Sequence, residues 1–168
     1  VEDELKSEYE KYDKIKEFNQ LKVLRAMQKA RLNDIHFSST TGYGYNDIGR
    51  EKVEEIFANV FNAEDALVRP SIANGTHALS ICLNALLMPG DTMLAITGKP
   101  YDTLDNVIGI VDEDMSLKEY GIKYKQVDLI NNGDFDIDKI KEELVADKSI
   151  KMAYIQRSKG YSTRHCHC

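Results

Sequence analysis

Between Ala66 and Ile155, short apolar runs alternate with segments of helical periodicity, and that alternation leaves few folds open. The strand-length runs are Ala66-Leu67-Val68, closed by Pro70, then Thr92 to Thr97, Tyr124 to Leu129 and Ile150 to Ile155. The run from His77 to Leu87 is nearly all apolar and stops at Pro89-Gly90, so it predicts a helix buried on most sides. Tyr101 to Ile108 and Ser116 to Tyr120 predict short helical pieces, and Ile137, Ile140 and Leu144 mark a helix capped by Asp136. Strands alternating with helices indicate crossover units and a mainly parallel sheet flanked by helices. Such a sheet places ligands beyond the carboxyl ends of its strands, where the loops begin at Arg69, Thr97 and Gln156.

Ahead of this region, Glu4 to about Leu32 is charged and helical in pattern, with Leu21, Leu24, Met27 and Leu32 as its main apolar positions. An arm of this kind packs on the body of a domain or on a partner subunit. Ser38 to Tyr45 is polar and glycine-containing, unsuited to a helix. Val53, Ile56, Phe57, Val60 and Phe61 then recur at amphipathic helical spacing. The expected division is a helical arm at 1–40, a partial α/β domain at 41–163 and an aberrant tail at 164–168.

A chain of 168 residues suits one domain, given the loose prior of about 150 residues per domain. Its net charge of -6 gives no basic footprint for nucleic acid. No stretch approaches the roughly 20 apolar residues of a membrane span, and the first residues lack a signal pattern. With three cysteines, one of them Cys82 inside an apolar helical run, the composition agrees with a reducing compartment. A cytoplasmic location is expected. The opening Val1 implies processing or a fragment.

The candidate site centres on Asn74-Gly75-Thr76-His77, which opens a helix. Backbone N–H groups converge there with the positive end of the helix dipole, roughly half a charge. Gly75 lets a ligand approach the backbone closely, and the Thr76 hydroxyl adds a donor. Two readings stand side by side: a phosphate cup, or a plain helix cap by Asn74 or Thr76. There is no Walker-type ending, and Gly42, Gly44 and Gly49 have the wrong spacing for a dinucleotide fingerprint. Gly98-Lys99-Pro100-Tyr101-Asp102 follows a strand end, where the Tyr101 ring either stacks on a planar ligand or packs against the next helix.

Taken in order, five segments form a recognisable set: Thr41 to Arg50, Glu64 to Pro70, Asn74 to Ala78, Pro89-Gly90-Asp91, and Gly98 to Leu104. With Tyr154 to Ser162 they closely resemble the methionine gamma-lyase-like family of aluminium resistance proteins, related to cystathionine lyases. The resemblance implies an incomplete large domain of a fold-type I pyridoxal-phosphate enzyme, and homo-oligomers of the complete protein. By it, Asn74, Gly75 and Thr76 cradle the cofactor phosphate, Asn74 standing where the family more often has Ser, and Tyr101 stacks on the pyridine ring. Tyr45 and Arg50 lie where related lyases reach a neighbouring subunit's phosphate, and Arg157 is a candidate for the substrate carboxylate.

Chemistry on this cofactor needs a Schiff-base lysine and an acid paired with the pyridinium nitrogen, and in the family both come beyond the position of Ser162. Lys99 and Lys159 belong to other motifs and read as surface or anion-facing residues. Arg164-His165-Cys166-His167-Cys168 departs from the family pattern and reads as a shifted or disrupted frame; its ligands lack the loop spacing of a zinc site, so no metal is expected. The resulting expectation is an N-terminal fragment of a carbon-sulfur lyase of methionine gamma-lyase or cystathionine beta-lyase type, inactive alone, whose complete form takes a sulfur amino acid. A sheet of few strands would leave an open edge and an uncovered apolar face. The alternatives are a non-catalytic remnant or partner subunit, and a generic phosphate- or nucleotide-binding module.

Overall fold

The computed structural model describes residues 2–42, 47–112, 114–131, 133–158 and 160. The expected tail at 164–168 lies outside them. The chain divides into two compact units, Val1–Ile72 and Ala73–Cys168.

In the first unit, helix α1 (Glu2–Lys29) carries exposed Lys11–Glu8 and Lys16–Asp13 pairs at 2.6 and 2.7 Å, one turn apart. The helical arm is as its periodicity predicts, but its buried side is not the leucine row. Leu21 and Leu24 are 44% and 48% exposed, whereas Ala26 and Ala30 are buried with Ile56, and Met27, Leu32 and Val60 pack around them. Alanines at the contact let the neighbouring helix α2 (Ile48–Phe61) come close. Asp47 caps α2 by accepting the Arg50 N–H at 3.1 Å, and Asn62 closes it in the left-handed conformation, φ 52°. At Gly49 a Cβ would stand 2.4 Å from the His36 carbonyl oxygen, so this helix turn fits against the 3-10 turn Asp34–Phe37 only with glycine.

Ala66-Leu67-Val68 does not form the buried strand that its composition predicts, and Leu67 is 60% exposed. Side chains satisfy its backbone donors instead: the Val68 N–H goes to Glu54 Oε1 at 2.9 Å and the Ala66 N–H to Asp65 Oδ1 at 2.8 Å. With no strand before it, Arg69 does not stand at a strand end, and it pairs with Glu54.

The second unit runs α3 (Gly75–Leu86), β1 (Thr92–Ala95), a 3-10 turn (Asp102–Leu104) leading into α4 (Asp105–Ile108), β2 (Lys123–Gln126), α5 (Ile137–Ala146) and β3 (Ile150–Tyr154). The three strands form a parallel sheet in the order β2-β1-β3, with Leu94 opposite Lys125 on one side and Ala153 on the other. Every residue of β1 is buried, as a central strand covered on both faces requires. Successive side chains serve opposite faces. Met93 joins Leu83, Leu87, Leu104, Ile108, Leu117 and Ile122, while Leu94 joins Val127 and Ile140. Asp136 caps α5 by accepting the Lys139 N–H at 3.0 Å, as its position predicts.

Two expectations for this unit fail on packing. The apolar helix α3 buries only Leu83 along its length and leaves Leu79 and Leu86 40% and 67% exposed, because the sheet covers one of its sides. Ser116 to Tyr120 is a pair of turns rather than a helix. The Leu117 N–H reaches back to the Val107 carbonyl at 2.9 Å, and the glycine at 109 sits where a Cβ would be 2.7 Å from the Ser116 hydroxyl. Among the described residues β3 pairs only with β1, and Lys151 and Ala153 alternate outward along it. No described helix is long and apolar enough to cross a membrane.

Candidate functional site

Asn74 is extended, φ -163° and ψ 178°, and its Oδ1 accepts the His77 N–H at 2.8 Å. Its carbonyl takes the Ala78 N–H at 3.1 Å, the first bond of the helix ladder. A helix leaves its first N–H groups without partners inside it. The cap engages one of the first-turn donors, so those of Gly75 and Thr76 have no partner among the described residues. Chain neighbours and the helix's own backbone aside, no described atom lies within 4 Å of the place where a Cβ of residue 75 would stand, so the helix start is open on that side.

The surroundings are polar. Thr76 Oγ1 meets Thr103 Oγ1 at 2.8 Å and ties the start of α3 to the segment after β1. His77 Nδ1 accepts the Ala73 N–H at 3.2 Å, so a neutral ring carries its proton on Nε2.

Tyr101 is reached from the carboxyl end of β1 through Thr97, Gly98, Lys99 and Pro100. Gly98 turns the chain at φ +78° while its N–H donates to the Val127 carbonyl at 2.9 Å. The Tyr101 N–H donates to Gln156 Oε1 at 2.7 Å, and the Gln156 N–H donates to Thr97 Oγ1 at 2.9 Å. The ends of β1 and β3 are thereby fastened to each other. Gly160 lies against the ring: a Cβ there would be 3.2 Å from Tyr101 Cδ2.

Lys99 Nζ is held 2.6 Å from Oδ2 of the buried Asp105, whose Oδ1 has no hydrogen-bond partner among the described residues. Burial, with the Asp105 and Asp128 carboxylates nearby, pushes the Tyr124 phenol up to about 12. Its hydroxyl donates to Gln126 Oε1 at 2.7 Å, and Gln126 Nε2 donates to Asp128 Oδ1 at the same distance. Burial likewise raises Tyr154. Both phenols therefore stay protonated at neutral pH.

Of the other residues singled out by sequence, Arg157 is exposed just past β3. Arg50 belongs to the first unit, where its guanidinium is 3.8 Å from Asp47 and its backbone N–H holds the Asp47 carboxyl below the usual range. Tyr45 and Lys159 lie outside the described residues. Sequence reading missed Thr103, the side-chain role of Gln156 and Gly160, all of which act on partners distant in the chain. Among the described residues, no group of three His, Cys, Asp or Glu side chains could hold a metal ion.

Known proteins resemble this chain in sequence, and solved ones in backbone fold. The family model described as methionine gamma-lyase matches residues 1–168. Uncharacterized protein YnbB of Bacillus subtilis (strain 168) is 44% identical over 166 residues, which are 98% of this chain and 39% of that protein. A solved carbon-sulfur lyase involved in aluminium resistance from Clostridium novyi NT is 48% identical with a TM-score of 0.92, over 98% of this chain and 39% of that one. A candidate cystathionine beta-lyase involved in aluminium resistance from Clostridium acetobutylicum is 50% identical with a TM-score of 0.93, over 98% and 40% of the two chains. The chain thus spans about 40% of the length of these relatives and forms part of their domain. With a family match over all 168 residues and a backbone that follows solved members at half identity, the chain belongs to the methionine gamma-lyase family.

Proposed function

We propose that this chain supplies the phosphate-binding and ring-stacking part of a pyridoxal-phosphate-dependent carbon-sulfur lyase of the cystathionine beta-lyase and aluminium resistance type, and is inactive alone. The observation that carries this reading is the pair of N–H donors of Gly75 and Thr76 at the positive end of α3, without partners among the described residues and beside open space at residue 75. An anionic phosphate fits such a place on charge and on hydrogen bonding. When bound, pyridoxal phosphate supplies an electron sink for elimination from a sulfur amino acid. The chain's own contribution is to bind and orient: Gly75 and Thr76 hold the phosphate, Asn74 keeps the helix start in shape, and Tyr101 covers the ring and excludes water.

Arg157 is assigned to the substrate carboxylate. The ion pair with Asp105 supports Lys99 as a structural or anion-facing cation, and the reading places the Schiff-base lysine in the part of the relatives that this chain does not span. Oligomers of the complete protein, with Tyr45 and Arg50 serving a neighbouring subunit's phosphate, belong to the same proposal.

Incubation of the chain with pyridoxal phosphate, borohydride reduction and peptide mass spectrometry tests it. Binding that inorganic phosphate displaces, without a stoichiometric adduct at any one lysine, is expected. One specific reduced lysine would overturn the inactive-alone reading. Binding of nucleotides as tightly as pyridoxal phosphate would move the site to the generic phosphate class.

A further inference from the structure

We propose that Gln156 is a positioning residue that sets the Tyr101 ring over the cofactor; the inference rests on the reading of the site given above. Gln156 is fixed by the central strand, because its N–H donates at 2.9 Å to Thr97 Oγ1, and Thr97 is only 5% exposed at the end of β1. From that anchor its carboxamide oxygen takes the Tyr101 N–H at 2.7 Å, across a sequence separation of 55 residues. Tyr101 precedes the 3-10 turn Asp102–Leu104, and its carbonyl is already committed to the Leu104 N–H at 2.9 Å. The Gln156 bond therefore completes a two-ended hold on the Tyr101 backbone, and it engages a donor that the turn itself does not use.

The same side chain makes a second bond. Gln156 Nε2 donates to the Ser158 carbonyl at 3.4 Å, two residues before Gly160. At Gly160, φ +56°, an added Cβ would stand 3.2 and 3.5 Å from Tyr101 Cδ2 and Cε2. One carboxamide thus holds both the Tyr101 N–H and the Ser158 carbonyl. A side chain's direction follows its backbone, and a small angular error at a positioning group is costly for a planar ligand.

The prediction separates ring from phosphate. In equilibrium dialysis of the full 168-residue chain, Gln156→Ala should weaken pyridoxal phosphate about 5-fold, the worth of roughly one net hydrogen bond. Affinity for inorganic phosphate, which touches only the start of α3, should stay within about 2-fold of the parent, since no bond of that cap is altered. Gln156→Glu keeps the acceptor and should restore most of the loss. In a Tyr101→Ala background, Gln156→Ala should add nothing further. Equal weakening of both ligands, or a Gln156 effect that persists without the Tyr101 ring, overturns the inference. If Tyr101→Ala weakens pyridoxal phosphate and Gln156→Ala does not, the inference fails and the functional reading survives. If Tyr101→Ala leaves both affinities unchanged, or the parent binds neither ligand, the reading fails and the inference with it.

Discussion

Replacing Asn74 with alanine removes the oxygen that accepts the His77 N–H at 2.8 Å, and it separates the cap from the anion site. Loss of such a cap costs about 1 kcal/mol, within a range of roughly 0.5–2. The loss is transmitted, because α3 delivers Leu83, 2% exposed, into the sheet core and leads directly to Leu87, 3% exposed. At a urea dependence of about 2 kcal/mol per molar, the unfolding midpoint should fall by about 0.5 M. The same substitution frees the His77 N–H, so an anion at the helix end meets three donors instead of two. Binding to the folded state alone stabilises it in proportion to the logarithm of ligand over Kd. The deficit of the alanine variant should therefore shrink in saturating phosphate, measured by far-ultraviolet circular dichroism against chloride at equal ionic strength. Asn74→Ser retains a capping oxygen and should stay within a few tenths of a kcal/mol of the parent. A midpoint unchanged in both salts would show that the cap does not hold the helix. A deficit that grows in phosphate would show that the carboxamide, not the backbone, contacts the anion.

Two further outcomes follow from the second unit. Leu83→Ala should destabilise it by about 2–5 kcal/mol, the range for a buried leucine whose cavity cannot collapse; a loss under about 1 kcal/mol in urea unfolding would mean that α3 is loosely seated. The Asp147 carboxyl is lowered from 3.8 to about 2, first by the Ser149 hydroxyl and then by the Lys125 ammonium. Because the folded value is the lower one, the stability it lends is present above the unfolded value and drains away as pH falls through about 2. Ser149→Ala should flatten the slope of stability between pH 4 and 2, estimated by the linkage relation at about one proton or less; an unchanged slope refutes the assignment.

Local chemistry was legible in the sequence wherever it acted within a few residues. Asp136 caps the helix it precedes and Asn74 caps α3, because a cap reaches only to the next turn. The apolar content of Thr92 to Ala95 marks a central strand for an equally simple reason: both of its faces are covered. Ala66 to Val68 has the same apolar character without the partners, and Glu54 decides its fate from 14 residues away. Burial of α3 was overestimated because periodicity says which residues are apolar and not how many layers exist to cover them. At the site, the capped turn that opens α3 could be read directly. The bond from Tyr101 to Gln156 could not, since no local pattern records a contact between two loops 55 residues apart in the chain.

The strand order β2-β1-β3 also has a temporal side. β1 is the first strand made and the middle one in the sheet, so both of its edges wait for segments beginning at Lys123 and Ile150. At about 5–20 residues per second, synthesis from Ala95 to Ile150 occupies on the order of 3–10 s. Until Lys123 to Gln126 is made, roughly midway through that interval, the four buried residues of β1 have neither neighbour. α3, already synthesised, is the first element that can shield the Met93 face of β1, through Leu83 and Leu87. Closing the two crossovers differs little in entropy, since doubling a loop adds only about 0.6 kcal/mol. The hazard for the nascent chain is therefore one of timing, and the helix that opens with Asn74 is its first chaperone as well as its anion end.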